Sequence, residues 1–154
     1  MTGANFGWVA CEVTPDQIKD LEGLTTLFNN NTSSDWDGEY CAELEYSGYR
    51  NVKLADITDE NGTINFGNTD TEAASSIVEY GLVPLFEAAF KQGLIEGVVH
   101  IRYNDVYIDN CGSSGGTSDV YIGKDGQIKD PLNVAIGDIP LVDRDWETDR
   151  KSVV

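Results

Sequence analysis

Three residue types in the second half of the chain could do hydrolytic chemistry together. Cys111 is a nucleophile once deprotonated, His100 can take its proton, and Asp109 can hold the imidazole in the required tautomer. The spacing predicts that Val98 to Asn110 folds back as a hairpin at Asn104-Asp105, with Tyr103 facing Val106, Ile101 facing Ile108 and Val99 facing Asn110. His100 then lies opposite Asp109 on the other face, with Arg102 and Tyr107, and Cys111 falls diagonally across from His100. A flexible loop from Cys111 to Thr117, rich in Gly, would offer backbone N–H groups to an oxyanion. This arrangement describes a small cysteine-dependent hydrolase, the enzymatic alternative among the readings. The same loop lacks the Lys of a phosphate-binding P-loop and carries Asp119 nearby, and the chain holds no GxGxxG fingerprint.

The carboxylates give a different reading. Acids outnumber bases 27 to 10, for a formal charge of -17, which excludes direct binding to nucleic-acid phosphates and favours a basic protein partner. No single tail accounts for the charge. Acids occur on expected strands, turns and helix ends, so a compact domain could present them at phosphate-like spacings and occupy the basic groove of a nucleic-acid enzyme. Small acidic inhibitors from mobile elements, of anti-restriction and anti-CRISPR type, share this size and charge. The leading expectation is therefore a non-enzymatic inhibitor of phage or plasmid type. Its expected partner-binding residues are Glu39, Glu43, Glu45, Asp56, Asp59 and Glu60, with Trp36, Tyr46 and Tyr49 as aromatic contacts near the first hairpin. A virion structural or assembly protein is the third alternative.

Ile57 to Asn68 resembles the middle of an EF-hand calcium loop, with Asp59, Asn61, Gly62 and Ile64 at matching offsets. Ile57 stands at the first ligand position and Asn68 at the twelfth, where that loop uses Asp and Glu, so the stretch reads as a plain hairpin turn at Asn61-Gly62. No metal and no cofactor are expected. Cys11, Cys41 and Cys111 are odd in number and widely spaced, which fits reduced thiols rather than a disulfide framework.

The elements that must position these groups centre on Thr69 to Gly93. Thr69-Asp70-Thr71-Glu72 fits a capping box, and Ala74, Ile77, Val78, Gly81, Leu82, Leu85, Phe86, Ala89 and Phe90 recur at helical spacing, leaving a narrow polar stripe. Pro84 predicts a kink near Gly81. Ile77, Leu82, Leu85, Phe86 and Phe90 are expected between a sheet and a shorter N-terminal helix, which begins at Thr14-Pro15 and carries Ile18, Leu21, Leu24, Leu27 and Phe28. Trp8 to Val13 reads as a strand. Glu39 to Tyr46 alternates with period two and pairs across Ser47-Gly48 with a second strand through Val52 and Leu54, setting Glu43 opposite Lys53. A last turn is expected at Asp125-Gly126. The fold class is thus α+β, an antiparallel sheet built from hairpins and packed on one long, Pro-kinked core helix and a shorter N-terminal helix.

At 154 residues the chain fits one domain, assigned to residues 1–142. Asp149 to Val154 matches the translation of a common sequencing adapter, so residues 143–154 are expected to be a non-native tail. No apolar run approaches a membrane span and no leader pattern is present, which makes a cytoplasm the expected location.

Overall fold

The computed structural model describes residues 4–33 and 48–128. Their antiparallel strands are β1 (Ala4–Val13), β2 (Ile64–Asn65), β3 (Asn68–Thr71), β4 (Val99–Asp109), β5 (Gly112–Gly123) and β6 (Gly126–Ile128). They form one sheet in the order β2-β1-β4-β5-β6, with β3 also paired to β1. Among the described residues two long helices accompany it: α1 (Leu21–Thr32) and α2, a continuous helical stretch from Ala74 to Lys91. The protein is an α+β domain with an antiparallel sheet and one long core helix, as the patterning required.

The core forms where one face of the sheet meets α2. Val9, Cys11 and Val13 of β1, Val99 and Ile101 of β4 and Ile122 of β5 are buried at alternate positions, as a period of two demands. Ile77, Leu82, Leu85, Phe86 and Phe90 of α2 are all buried against them, and α1 closes the other side with Leu24 and Phe28. Phe28, Phe66 and Phe86 form a ladder of edge-to-face rings with centroids 5.6 and 4.9 Å apart, and Tyr49 joins it at 6.2 Å from Phe28. Each such contact adds about 0.5–1.5 kcal/mol beyond burial, so this ladder ties α1 to α2 through Phe66.

Local signals shift the element ends. The long helix starts at Ala74 instead of at the Thr69-Glu72 capping box, because 68–71 is held as β3 by its pairing with Gly7 and Val9 of β1. A tertiary ladder has overridden a local cap. Pro84 has no N–H for the Tyr80 carbonyl, and just before it Val78–Leu82 winds as a π-turn in which the Val83 N–H donates to the Val78 carbonyl. The expected disturbance is therefore a widened turn within a continuous helix. Pro15–Gln17 is only a 3₁₀ turn, and α1 begins after Asp20, whose Oδ1 accepts from the Gly23 N–H at 2.9 Å.

Three hairpin expectations are corrected. Asn104-Asp105 is no turn: β4 runs through it, and the chain reverses at Asn110-Cys111. Both polar side chains find partners in the folded domain, since Asn104 Nδ2 donates to Thr117 Oγ1 at 3.2 Å and Asp105 accepts from the Ser75 hydroxyl at 2.6 Å. Val52 and Leu54 form no strand; Leu54–Ile57 is a 3₁₀ turn with Leu54 buried, and Glu39 to Tyr46 lies outside the described residues. The turn at Asn61-Gly62 is present, but only Gly62 has positive φ, at 86°, and it is built by Asp59, whose Oδ1 accepts from the Asn61 and Thr63 N–H groups. The last hairpin turns at Lys124-Asp125, one residue before the expected position.

Candidate functional site

The face of the sheet turned away from α2 carries the polar residues. Strand alternation places Trp8, Asn104 and Thr117 in one cross-strand row, Ala10, Arg102 and Asp119 in the next, and His100 beside Tyr121 in a third. His100 is 6% exposed despite its outward position. Its ring stacks on Tyr121 with centroids 4.4 Å apart and planes 6° from parallel, and its Nε2 lies 2.7 Å from Asp119 Oδ1. Arg102 Nε is 3.8 Å from the same oxygen.

Burial pushes the His100 pKa down, opposed by the hydrogen bond and charge of Asp119, while the Arg102 charge pushes it further down. The imidazole is thus neutral near pH 7, and Nε2 carries the proton that it donates to the Asp119 carboxylate. Orientation by a carboxylate is half of a general-base arrangement. The other half would be a nucleophile, and the residues expected to complete it lie elsewhere. Asp109 is at the opposite end of β4 from His100, roughly 30 Å away at about 3.3 Å per residue. Its Oδ1 accepts from the Cys111 N–H at 2.7 Å and so shapes the turn. Cys111 sits in that turn, exposed and remote from His100. The Cys111/His100/Asp109 set is not assembled, because moving the turn from Asn104-Asp105 to Asn110-Cys111 replaces Asp109 with Tyr121 as the partner of His100. Cys111 to Thr117 is likewise no loop, since Gly112 to Thr117 belong to β5.

The expected partner-binding residues divide. Asp56, Asp59 and Glu60 are exposed around the 3₁₀ turn and the turn after it. Tyr49 is a correction: it is 3% exposed, packs against Phe28, and its hydroxyl donates to the Phe66 carbonyl, so it belongs to the core. Burial pushes its phenol up, beyond the ordinary tyrosine range. Glu39, Glu43, Glu45, Trp36 and Tyr46 lie outside the described residues. Among the described residues no group of His, Cys, Asp and Glu could hold a metal ion, and in the EF-hand-like stretch the Asp59 carboxylate is turned to backbone N–H groups.

Two features escaped the sequence. A groove of about 550 Å³ beside α1 is lined by Asp20, Glu22, Thr26, Asn30 and Asn31 among others. Asn31 is 1% exposed, and its Oδ1 has no hydrogen-bond partner among the described residues while Nδ2 donates to the Leu27 carbonyl. The second feature is the outer edge of β5: β6 pairs only with Tyr121 to Gly123, which leaves Gly112 to Val120 with no strand on that side among the described residues. Neither is written in a motif. The orphan acceptor depends on how Asn31 packs, and the edge depends on a Gly/Ser stretch being recruited as a strand by β4.

No helix among the described residues is long and apolar enough to cross a membrane. A scan against protein-family models finds no match, and no curated protein or solved structure matches the chain either.

Proposed function

We propose that the protein is a non-enzymatic acidic binding protein, an inhibitor of phage or mobile-element origin. It blocks a basic surface on a nucleic-acid-handling protein in the host cytoplasm, in the manner of anti-restriction or anti-CRISPR inhibitors. One observation carries this reading: the excess of acids is laid out as exposed carboxylates on separate elements of a packed domain. They include Asp20 and Glu22 at the start of α1, Asp56, Asp59 and Glu60 beside β2, and Glu79 and Glu87 along α2. Carboxylates fixed on a rigid scaffold hold their spacing, and fixed spacing is what a groove built for phosphates selects. Asp56, Asp59 and Glu60 remain the proposed contacts among the described residues, joined by Glu39, Glu43, Glu45, Trp36 and Tyr46 from the segment between α1 and Gly48.

Capture from host lysate at low and high salt tests the reading. The expected outcome is a nucleic-acid-binding protein retained at about 50 mM salt and released by about 500 mM, where the screening length falls to roughly 4 Å. Reversing Asp56, Asp59 and Glu60 to Lys should weaken that capture. Retention that ignores both salt and charge reversal contradicts the proposal.

A further inference from the structure

We propose that the edge of β5 from Gly112 to Asp119, which no strand among the described residues covers, is a strand-addition site that takes an extended, basic segment of the partner protein. The basic character of the occupant rests on the function proposed above; the edge itself rests on geometry.

Asp109 and Gly112 flank a two-residue turn, so they exchange hydrogen bonds, and by alternation the even-numbered residues of β5 bond to β4. The pairing of Tyr121 with Ile128 and Gly123 with Gly126 on the other side fixes the same phase independently, since it turns the odd-numbered residues away from β4. Ser113, Gly115, Thr117 and Asp119 therefore present their backbone N–H and C=O groups to the edge that no described strand covers. All four are exposed.

Proteins usually guard such an edge with Lys, Pro, a bulge or a covering element, because it is a template for another strand. Between Gly112 and Val120 there is no Lys, Arg or Pro, and the β4–β5 register runs without a shift. Gly, Ser and Thr side chains leave the approach sterically open. Main-chain pairing would supply affinity, and side chains at alternate positions of the added strand would supply selectivity. A second copy of this chain is the obvious rival occupant, but it would bring a charge of -17 against another -17. The one charged side chain on this stretch, that of Asp119, is paired with His100 and lies beside Arg102 across the strand pair, so the charge argument is that of the whole molecule. A strand bearing Lys or Arg at alternate positions complements the charge of -17.

The test uses the full chain, isotope-labelled, and peptides of about ten residues alternating Lys with Val or Glu with Val. The Lys/Val peptide is expected to bind at low salt and to slow amide exchange at Ser113, Gly115, Thr117 and Asp119. Thr117→Pro removes one outward N–H without breaking a backbone bond to β4, and should weaken binding at least tenfold relative to Thr117→Val, the control that removes only the Oγ1 accepting from Asn104 Nδ2. Asp59→Lys, remote from this edge, should weaken it less. Binding without protection of those amides, or unchanged binding by Thr117→Pro, overturns the edge site while leaving the acidic-binder reading intact. Equal binding of the Glu/Val peptide, with the amides protected, overturns the basic occupant and that reading together. A dimer that protects the same amides without peptide assigns the edge to self-association and overturns the proposal.

Discussion

Removing the Asp119 carboxylate isolates the polar row on the outer sheet face. In Asp119→Ala, His100 keeps its stack on Tyr121 but loses the acceptor 2.7 Å from Nε2 at a site where the residue is 6% exposed. A buried donor deprived of its acceptor costs about 1–3 kcal/mol. The Asp119 side chain is 28% exposed, so water can enter the vacated space and the lower part of that range applies, about 1–2 kcal/mol. The ion pair with Arg102 adds little, as a half-exposed contact at 3.8 Å. Urea unfolding followed by Trp fluorescence at pH 8 should show this loss, with a Tm lower by a few degrees. Asp119→Asn, which keeps an acceptor oxygen, should lose less. The pH dependence carries a sign. His100 is held below its ordinary value in the native state, so the unfolded chain binds the proton first, and stability falls as pH drops below about 6.5 toward the native pKa. The chain has one His, so its ring signals report this titration without ambiguity. Asp119→Asn should move the titration lower still. Wild-type stability in Asp119→Ala at pH 8, or a His100 titrating at or above the ordinary histidine value, would show that the Asp119 acceptor does not hold His100 in this way.

Phe66→Ala removes a fully buried ring from the middle of the aromatic ladder and should cost about 3–5 kcal/mol, read as a lower urea midpoint with an unchanged slope. Gly115→Ala should destabilise the β4–β5 hairpin and raise amide exchange along it, since a Cβ there would fall on the Asp105 carbonyl oxygen and φ is +109°. Among the thiols placed in the structure, a maleimide should modify Cys111 in the native protein and Cys11 only on unfolding, as Cys11 is buried and its thiol is pushed up by desolvation; mass mapping of the modified peptides checks this.

The core was legible because its signals are periodic and redundant. Nine apolar positions in α2 and the alternation in β1 agree on one buried face, so errors at the ends, such as the misplaced cap at Thr69, leave the packing unchanged. Hairpin register has no such redundancy. Asn104-Asp105 has turn chemistry, yet β1 pairs with β4 straight through it, from Ala4 opposite Ile108 to Cys11 opposite Ile101, and that ladder outweighs a local preference. A turn displaced by six residues then reassigns every cross-strand neighbour, which is why Tyr121 replaced Asp109 opposite His100 and the diagonal Asp119 supplies its carboxylate. The distal half of β5 was unreadable for the opposite reason. Gly-Ser-Ser-Gly-Gly-Thr-Ser has low strand propensity and no apolar alternation, and it is a strand only because β4 lies beside it.

The proposed recognition of a basic protein by a surface of fixed carboxylates is tested by the salt dependence of affinity for the captured partner. Affinity should fall steeply between about 50 and 200 mM salt, and Asp56→Lys/Asp59→Lys/Glu60→Lys should weaken binding and flatten the slope. An affinity independent of salt, or unchanged in that triple variant, would contradict it.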